Sequence, residues 1–100
     1  MNIAARLKKL RQALDEKELD GILISQPQNR YYLSGFNGSA GYLLITQKDA
    51  IIATDFRYVE QVKEQCPDYR LFQLTGPIAD WFPKLLNDVQ IGKLGFEAGD

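Results

Sequence analysis

The chain has 100 residues, of which 45% are hydrophobic and 25% charged, and its net charge at pH 7 is -1. This length and composition predict a single soluble globular domain, and the small net charge argues against recruitment by nucleic acid or by an anionic membrane. The absence of histidine removes the side chain that most often serves as a general base or a metal ligand.

The N-terminal residues and the cysteine content indicate a cytoplasmic protein. The single Cys66 excludes an internal disulfide framework and fits a reducing compartment. No apolar run approaches the roughly 18 residues that a membrane span needs. The N-terminus lacks the apolar stretch of a secretory signal, and it is unlike a transit peptide because it carries Asp15, Glu16 and Glu18.

The first part of the chain predicts a helix and then a buried strand. Apolar residues recur at steps of four, three and four, at Ile3, Leu7, Leu10 and Leu14. This spacing predicts an amphipathic helix over about residues 2–18, with Asn2 as its N-cap candidate. The apolar residues 21–25 predict a short strand. Pro27 then predicts a turn over residues 26–29, and residues 28–34 can form one helical turn.

A hairpin near the centre of a sheet is predicted next. Residues 41–46 and 50–54 are apolar runs joined by the polar residues 47–49, and Asn37-Gly38 before them is a turn dipeptide. Apolar side chains occupy successive positions of both runs, so both faces of these strands should be covered. A central location in the sheet follows.

Asp55 begins the next predicted helix, over residues 56–65, as its N-cap. Pro67 ends this helix, and its buried stripe is predicted to consist of Phe56, Val59, Val62 and Cys66.

The last part of the chain predicts a strand at residues 69–72, a helix at residues 79–87 with Pro83 in its first turn, and a strand at residues 91–97. We therefore expect one α/β domain, with a mixed sheet, a central hairpin and helices on both faces.

Two dense motifs carry the functional signal. They are residues 29–39, NRYYLSGFNGS, and residues 54–58, TDFRY. No histidine can activate Ser39, and the glycine-rich residues 35–41 lack the lysine and the following helix of a phosphate cradle. A zinc site lacks its usual ligands, because the chain has one cysteine and no histidine. We therefore expect no independent catalysis by these residues.

From the residues alone, two interpretations of the motifs remain open. They can form a loop and a capped helix with structural roles only, or a surface that receives another domain, a subunit or an anionic ligand. Gly35, Gly38 and Gly41 allow a positive φ or the close approach of another surface. Arg57 offers a planar charged fork that suits carboxylates, and Asp55 caps the helix start beside it.

The motif spacing resembles the N-terminal domain of the creatinase/prolidase/aminopeptidase P family. The likeness covers essentially the whole chain, and it is carried by Asn29, Tyr32-Leu33-Ser34-Gly35-Phe36, Gly38-Ser39, Thr54-Asp55, Arg57-Tyr58 and the preceding run Leu19 to Ile24.

The resemblance implies a function that depends on a second domain. In this family the α/β domain precedes a pita-bread catalytic domain, which uses two manganese, cobalt or zinc ions to hydrolyse the bond before a proline. The two Asp, one His and two Glu that bind these ions belong to that second domain, and none maps onto residues 1–100. We therefore expect a truncated N-terminal domain that has no cofactor, is inactive alone and has its own catalytic domain as partner.

The resemblance also implies roles for individual residues. N-terminal domains of this family often form homo-oligomer contacts, and their loops can close over the catalytic pocket of a neighbouring subunit. The loop of Phe36, Asn37, Gly38 and Ser39 is therefore expected to face that pocket and its proline-containing peptide. Arg57 is expected to meet a substrate carboxylate or a partner acid. Structural roles are expected for Asn29, Tyr32, Gly35, Asp55 and Tyr58.

Two relatives of the same architecture are alternatives. Members without metal ligands bind peptides or histones, and creatinase-type amidinohydrolases use a similar N-terminal domain with a different substrate. The coding sequence beyond Asp100 would distinguish the metal-free relatives from the enzymes.

Overall fold

The computed structural model describes residues 3–38, 41–74, 76–89 and 92–96. In these residues the helices are α1 (Ile3–Glu16), α2 (Pro27–Ser34), α3 (Val59–Gln65) and α4 (Ile78–Val89), and a 3₁₀ turn at Phe56–Tyr58 leads into α3. The strands are β1 (Gly21–Ile24), β2 (Tyr42–Thr46), β3 (Ala50–Thr54), β4 (Arg70–Gln73) and β5 (Leu94–Phe96).

The strands form one mixed sheet in the order β4-β3-β2-β1-β5. β2 is antiparallel to both of its neighbours, whereas β1 pairs with β5, and β3 with β4, in parallel. The predicted central hairpin is therefore confirmed, with β2 as the middle strand. Because β1, β3, β4 and β5 run in one direction, their carboxyl ends lie at one edge of the sheet, which we call the carboxyl edge.

Helices cover both faces of the sheet, as predicted. On the face of α1, α2 and α3, the buried cluster includes Leu7, Leu33, Leu43, Ile45, Ile52 and Val62. On the face of α4, the buried cluster consists of Leu44, Ile51, Ala53, Trp81 and Leu85. The two clusters share β2 and β3, because successive side chains of a strand point to opposite faces.

The prediction that Phe56 lies on the buried stripe before α3 is wrong. Phe56 is 73% exposed, whereas Val62 and Cys66 are buried. The reason is that residues 56–58 form a 3₁₀ turn and α3 starts only at Val59. Because a 3₁₀ turn has about three residues per turn instead of about 3.6, Phe56 is rotated away from the face that Val62 occupies.

Two prolines lie at other helical positions than predicted. Pro27 is the first residue of α2 rather than part of a turn, and Gln26 before it is the extended N-cap residue, with φ -68° and ψ 132°. Proline suits this place because the first helical N–H has no partner within its helix. α4 begins at Ile78, so Pro83 lies inside the helix and beyond its first turn. Burial of Trp81 and Leu85 offsets the helical hydrogen bond that this proline removes.

Some predictions concern residues outside the described ranges. Asn2, Ile91 and Glu97 lie outside the described residues, and so does Ser39 of the first motif.

Candidate functional site

The two sequence motifs meet at the carboxyl edge of the sheet. The first motif forms most of α2, which follows β1, and the turn that leads from α2 towards β2. The second motif begins at the carboxyl end of β3. In open α/β sheets, binding sites occur at this edge because the ends of several strands converge there. We therefore take the carboxyl edge as the candidate functional site.

Arg30 is the buried support of this edge, with an exposed fraction of 3%. Its Nη1 donates to the carbonyl oxygens of Ser25 at 3.2 Å and Gly41 at 2.9 Å, and its Nη2 donates to the Gly38 carbonyl at 2.8 Å. One guanidinium thus joins the end of β1, the turn after α2 and the start of β2. The sequence motifs did not single out Arg30, since arginine is usually exposed. The available signal was its spacing of three residues from Leu33, which places both on one helix face.

The turn after α2 directs Phe36 into the core. Gly35 has φ 81°, and its N–H donates to the Tyr31 carbonyl at 2.8 Å. Glycine suits this left-handed conformation, which is common where helices end. Phe36 is then 1% exposed and meets the Tyr58 ring edge-on, with 5.8 Å between the ring centroids. Phe36 therefore supports the turn from the core side.

Gly38 allows the close approach of the Phe36 ring to the backbone. A Cβ atom at residue 38 would lie 2.2 Å from Phe36 Cζ and 2.8 Å from Cε1 and Cε2. Since real Cβ atoms do not approach other atoms so closely, any side chain here would displace the ring or the turn. Gly38 supplies space at this position, whereas Gly35 supplies a positive φ.

Asn37 connects the same turn to α3. Its Oδ1 accepts hydrogen bonds from Gln61 Nε2 at 2.6 Å and Gln65 Nε2 at 3.1 Å, and its backbone N–H donates to Gln65 Oε1 at 3.3 Å. Sequence reasoning missed both glutamines. Their spacing of four residues on a predicted helix was the available signal. These amides form a polar surface beside the turn and hold the turn against α3.

Asp55 and Arg57 form a tightly paired unit after β3. Asp55 Oδ1 accepts a hydrogen bond from the Arg57 backbone N–H at 2.9 Å, so Asp55 caps the helical segment, as its sequence position indicates. The Arg57 side chain donates to both carboxylate oxygens, through Nε at 3.0 Å and Nη2 at 2.8 Å. The Arg57 hydrogen bonds lower the pKa of the Asp55 carboxyl below its ordinary value of 3.8.

Arg57 remains largely exposed despite this pairing. Its side chain is 61% exposed, and its guanidinium carbon lies 5.2 Å from the Tyr58 ring centroid. Phe36 of the turn and the Arg57 guanidinium therefore both contact the Tyr58 ring. The structure thus brings the two motifs together through Tyr58.

Asn29 and Tyr32 lie outside that contact. The Tyr32 ring faces α1, where the Arg6 guanidinium carbon is 4.0 Å from the ring centroid and Arg6 Nη1 donates to the Tyr32 carbonyl at 2.7 Å. Asn29 Nδ2 donates to Gln26 Oε1 at 3.0 Å, at the start of α2.

The described residues do not fit a metal centre or a thiolate nucleophile. Within the described ranges, no group of three His, Cys, Asp or Glu side chains could hold a metal ion. Burial raises the pKa of the Cys66 thiol, which disfavours the reactive thiolate. The interactions that the side chains of this site make are hydrogen bonds and a charge pair. None of the described helices is long and apolar enough to cross a membrane.

The fold and the two motifs define an α/β domain with a polar surface at the carboxyl edge of its sheet. The sequence model of the creatinase/prolidase N-terminal domain matches residues 6–99. The chain therefore belongs to the creatinase/prolidase N-terminal domain family, as its motifs indicate.

Solved structures of relatives share this fold. The chain is 43% identical to an Xaa-Pro dipeptidase from Bacillus anthracis, with a TM-score of 0.89 over 96% of this chain and 27% of that one. It is 38% identical to the N-terminal domain of the cytoplasmic peptidase PepQ from Mycobacterium tuberculosis, with a TM-score of 0.83 over 94% of this chain and 73% of that one.

A relative found by sequence comparison is much longer than this chain. The uncharacterized peptidase YqhT of Bacillus subtilis is 36% identical over 92 residues, which are 92% of this chain and 26% of that protein. The chain thus spans about a quarter of this relative, and a similar share of the Bacillus anthracis dipeptidase.

Proposed function

We propose that this chain is the non-catalytic N-terminal domain of an Xaa-Pro metallopeptidase, an enzyme that hydrolyses the bond before a proline. The observation that carries the proposal is the 43% identity to an Xaa-Pro dipeptidase over 96% of the chain. Since the chain spans 27% of that dipeptidase, the catalytic machinery belongs to a further domain of the full-length protein. That domain would bind the two divalent ions, manganese, cobalt or zinc, and no step of the reaction is assigned to residues 1–100.

The proposed contribution of this domain is assembly and substrate access at the carboxyl edge. Arg30 donates to the Gly38 carbonyl and Asn37 bonds to α3, so residues 36–38 of the loop can meet a partner with little loss of conformational freedom. Its proposed partners are the catalytic domain of the same protein, a neighbouring subunit of a homo-oligomer, and the proline-containing peptide. The cytoplasm is the proposed location, and the description of the PepQ relative as a cytoplasmic peptidase supports it.

Arg57 is the proposed charge contact of this surface. Asp55 holds Nε and Nη2, and the guanidinium has further N–H groups on a side chain that is 61% exposed. A carboxylate of the substrate or of the partner could accept from these groups without breaking the Asp55 pair. Because Asp55 orients the fork in advance, less side-chain entropy is lost on binding.

The first experiment compares the full-length protein with the 100-residue chain. Xaa-Pro dipeptides and longer Xaa-Pro peptides are incubated with each purified protein and with manganese, cobalt or zinc. We expect metal-dependent cleavage by the full-length protein, abolished by a chelator, and no cleavage by the 100-residue chain. Robust cleavage by the short chain would refute the proposal.

The second experiment tests Arg57 in the full-length protein. Arg57→Ala should raise KM for Xaa-Pro substrates or weaken the oligomer, while circular dichroism of the variant 100-residue chain stays unchanged. Lys63→Ala is the matched control, because Lys63 is an exposed cation on α3 that pairs only loosely with Glu60, at 3.7 Å. Loss of folding in the Arg57→Ala chain would instead assign Arg57 a structural role.

The same full-length preparation separates the two alternatives. A metal-free relative that binds peptides or histones would lack hydrolysis with every metal and retain peptide binding. A creatinase-type enzyme would hydrolyse creatine and leave Xaa-Pro peptides intact.

A further inference from the structure

A groove between α1 and α2 crosses β1 on the face opposite α4. Its volume is about 430 Å³, which lies within the range of ligand-binding clefts. Its apolar lining consists of Leu10, Ile22, Ile24 and Leu33, and Asn29 and Tyr32 also line the groove. Ile22 and Leu10 are only half-buried in the described residues, so the groove leaves apolar surface uncovered beside the main core.

The rim of this groove is cationic. Arg6 and Lys9 of α1 lie at the rim, three residues apart and so on one helix face, and no acidic residue is among the described residues that line the groove. Neither cation takes part in the ion pairs found among the described residues, which are Asp55–Arg57, Glu60–Lys63 and Arg70–Asp88. The surface is therefore complementary to an apolar segment that carries a carboxylate.

Arg6 is already held in position for such a carboxylate. Its guanidinium stacks 4.0 Å from the Tyr32 ring centroid, and Nη1 is bound to the Tyr32 carbonyl at 2.7 Å. These contacts use one ring face and one N–H direction of the guanidinium, which has five N–H donors in total. Because the side chain is immobilised beforehand, pairing with a carboxylate costs less entropy than at a free surface arginine.

We propose that this groove is a docking site for an acidic, apolar segment of the same polypeptide, located beyond residue 100 in the full-length protein. The inference rests on the proposed function, in which this domain is part of a longer peptidase. Its support is that the chain covers only 73% and 77% of two N-terminal domains of relatives that were solved as separate chains. A segment of the same chain has an effective concentration in the millimolar range, so even a weak groove would be filled.

The chemistry of the groove is tested on the 100-residue chain with two blocked peptides, acetyl-Leu-Leu-Glu-amide and acetyl-Leu-Leu-Gln-amide. We expect the Glu peptide to bind about 3- to 10-fold more tightly than the Gln peptide, which corresponds to a charge-assisted contact. Added salt should reduce this difference. Methyl NMR shifts are expected at Leu10, Ile22, Ile24 and Leu33.

Three variants identify the rim residues. Arg6→Gln and Lys9→Gln should each reduce the preference for the Glu peptide to less than about 2-fold if both cations contact the carboxylate. Lys9→Gln protects the test from misfolding, because Lys9 is exposed, whereas Arg6 also contacts α2. Lys8→Gln is the matched control, since Lys8 is an exposed cation of α1 outside the groove. Equal affinities of the two peptides for the unaltered chain, no binding, or an equal effect of Lys8→Gln would overturn the proposal.

The occupant is tested by repeating the titration with the full-length protein. If the segment lies in the same polypeptide, the Glu peptide should bind the full-length protein at least 10-fold more weakly than the 100-residue chain, at all protein concentrations. Equal binding to both proteins would overturn the proposal in favour of a separate partner. Competition that disappears on dilution would overturn it in favour of a second copy. The peptidase assay is independent, so failure of this proposal is distinguishable from failure of the proposed function.

Discussion

Gly38→Ala should destabilise the domain through one steric contact. The new Cβ would lie 2.2 Å from Phe36 Cζ, and the ring cannot retreat easily because it is 1% exposed and packs against Tyr58. Overpacking of this kind costs about 1–3 kcal/mol. The free energy of unfolding is measured by urea denaturation, followed by the fluorescence of Trp81, which is the only tryptophan and lies in the other core cluster.

A double-mutant cycle with Phe36→Leu isolates this contact. Leucine lacks the Cζ, Cε1 and Cε2 atoms that the new Cβ would meet. In the Phe36→Leu background, Gly38→Ala should therefore cost less than about 0.5 kcal/mol, which leaves a coupling energy of about 1–3 kcal/mol.

Gly35→Ala provides the matched control for the cycle. Its cost arises from φ 81° and should be about 1–2 kcal/mol, whether residue 36 is phenylalanine or leucine. The reasoning about Gly38 would be refuted if Gly38→Ala cost the same in both backgrounds, or if it were neutral with Phe36 present.

Three further predictions concern buried and paired polar groups. Arg30→Met should lower the free energy of unfolding by at least about 3 kcal/mol, because three carbonyl oxygens each lose a donor at a cost of about 1–3 kcal/mol. If urea denaturation shows a loss below about 1 kcal/mol, the hydrogen bonds of Arg30 do not support the fold in this way. The pKa of Asp55 is lowered from 3.8 by Arg57, so its contribution to stability is present above that pH and is lost as pH falls through the folded pKa. Asp55→Asn should remove this part of the fall in Tm on acidification below about pH 5. A variant whose Tm falls with acid as steeply as that of the original would argue against the pair. Tyr69 donates to the Leu33 carbonyl at 2.7 Å and burial raises its pKa above 10.0, so its contribution is present below that pH and is lost as pH rises further. Tyr69→Phe should cost about 1 kcal/mol at neutral pH and flatten the alkaline fall in Tm, and a variant as pH-sensitive as the original would contradict this.

Local patterns in the sequence were enough to predict most of the fold. In the runs that form β2 and β3, apolar residues occupy odd and even positions alike, which predicted that both faces of these strands are covered. The structure confirms this prediction. The error at Phe56 arose because a periodic pattern does not distinguish a 3₁₀ turn from the first turn of an α-helix. The conformation of that single turn depends on Asp55, whose carboxylate accepts hydrogen bonds from both the backbone N–H and the side chain of Arg57.

The candidate site was only partly predictable. The glycines, Asp55 and Arg57 were recognisable by residue type, because turn and cap chemistry acts over a few neighbouring residues. Arg30, Gln61 and Gln65 were not, because each acquires its role from groups distant in sequence, such as the Gly38 carbonyl and the Asn37 side chain.

By itself, the sequence determined the element order, the two motifs and the family, since these depend on local spacing and on residue identity. Only the tertiary structure decided which side chains of the motifs reach the surface. Phe36 turned inward because Gly38 leaves room for its ring, and Arg57 stayed outside because Asp55 holds it there. The same packing places Arg6 against Tyr32 beside an apolar groove, although the two residues are 26 positions apart in the chain. Such contacts follow from how helices dock on the sheet, which no local pattern encodes.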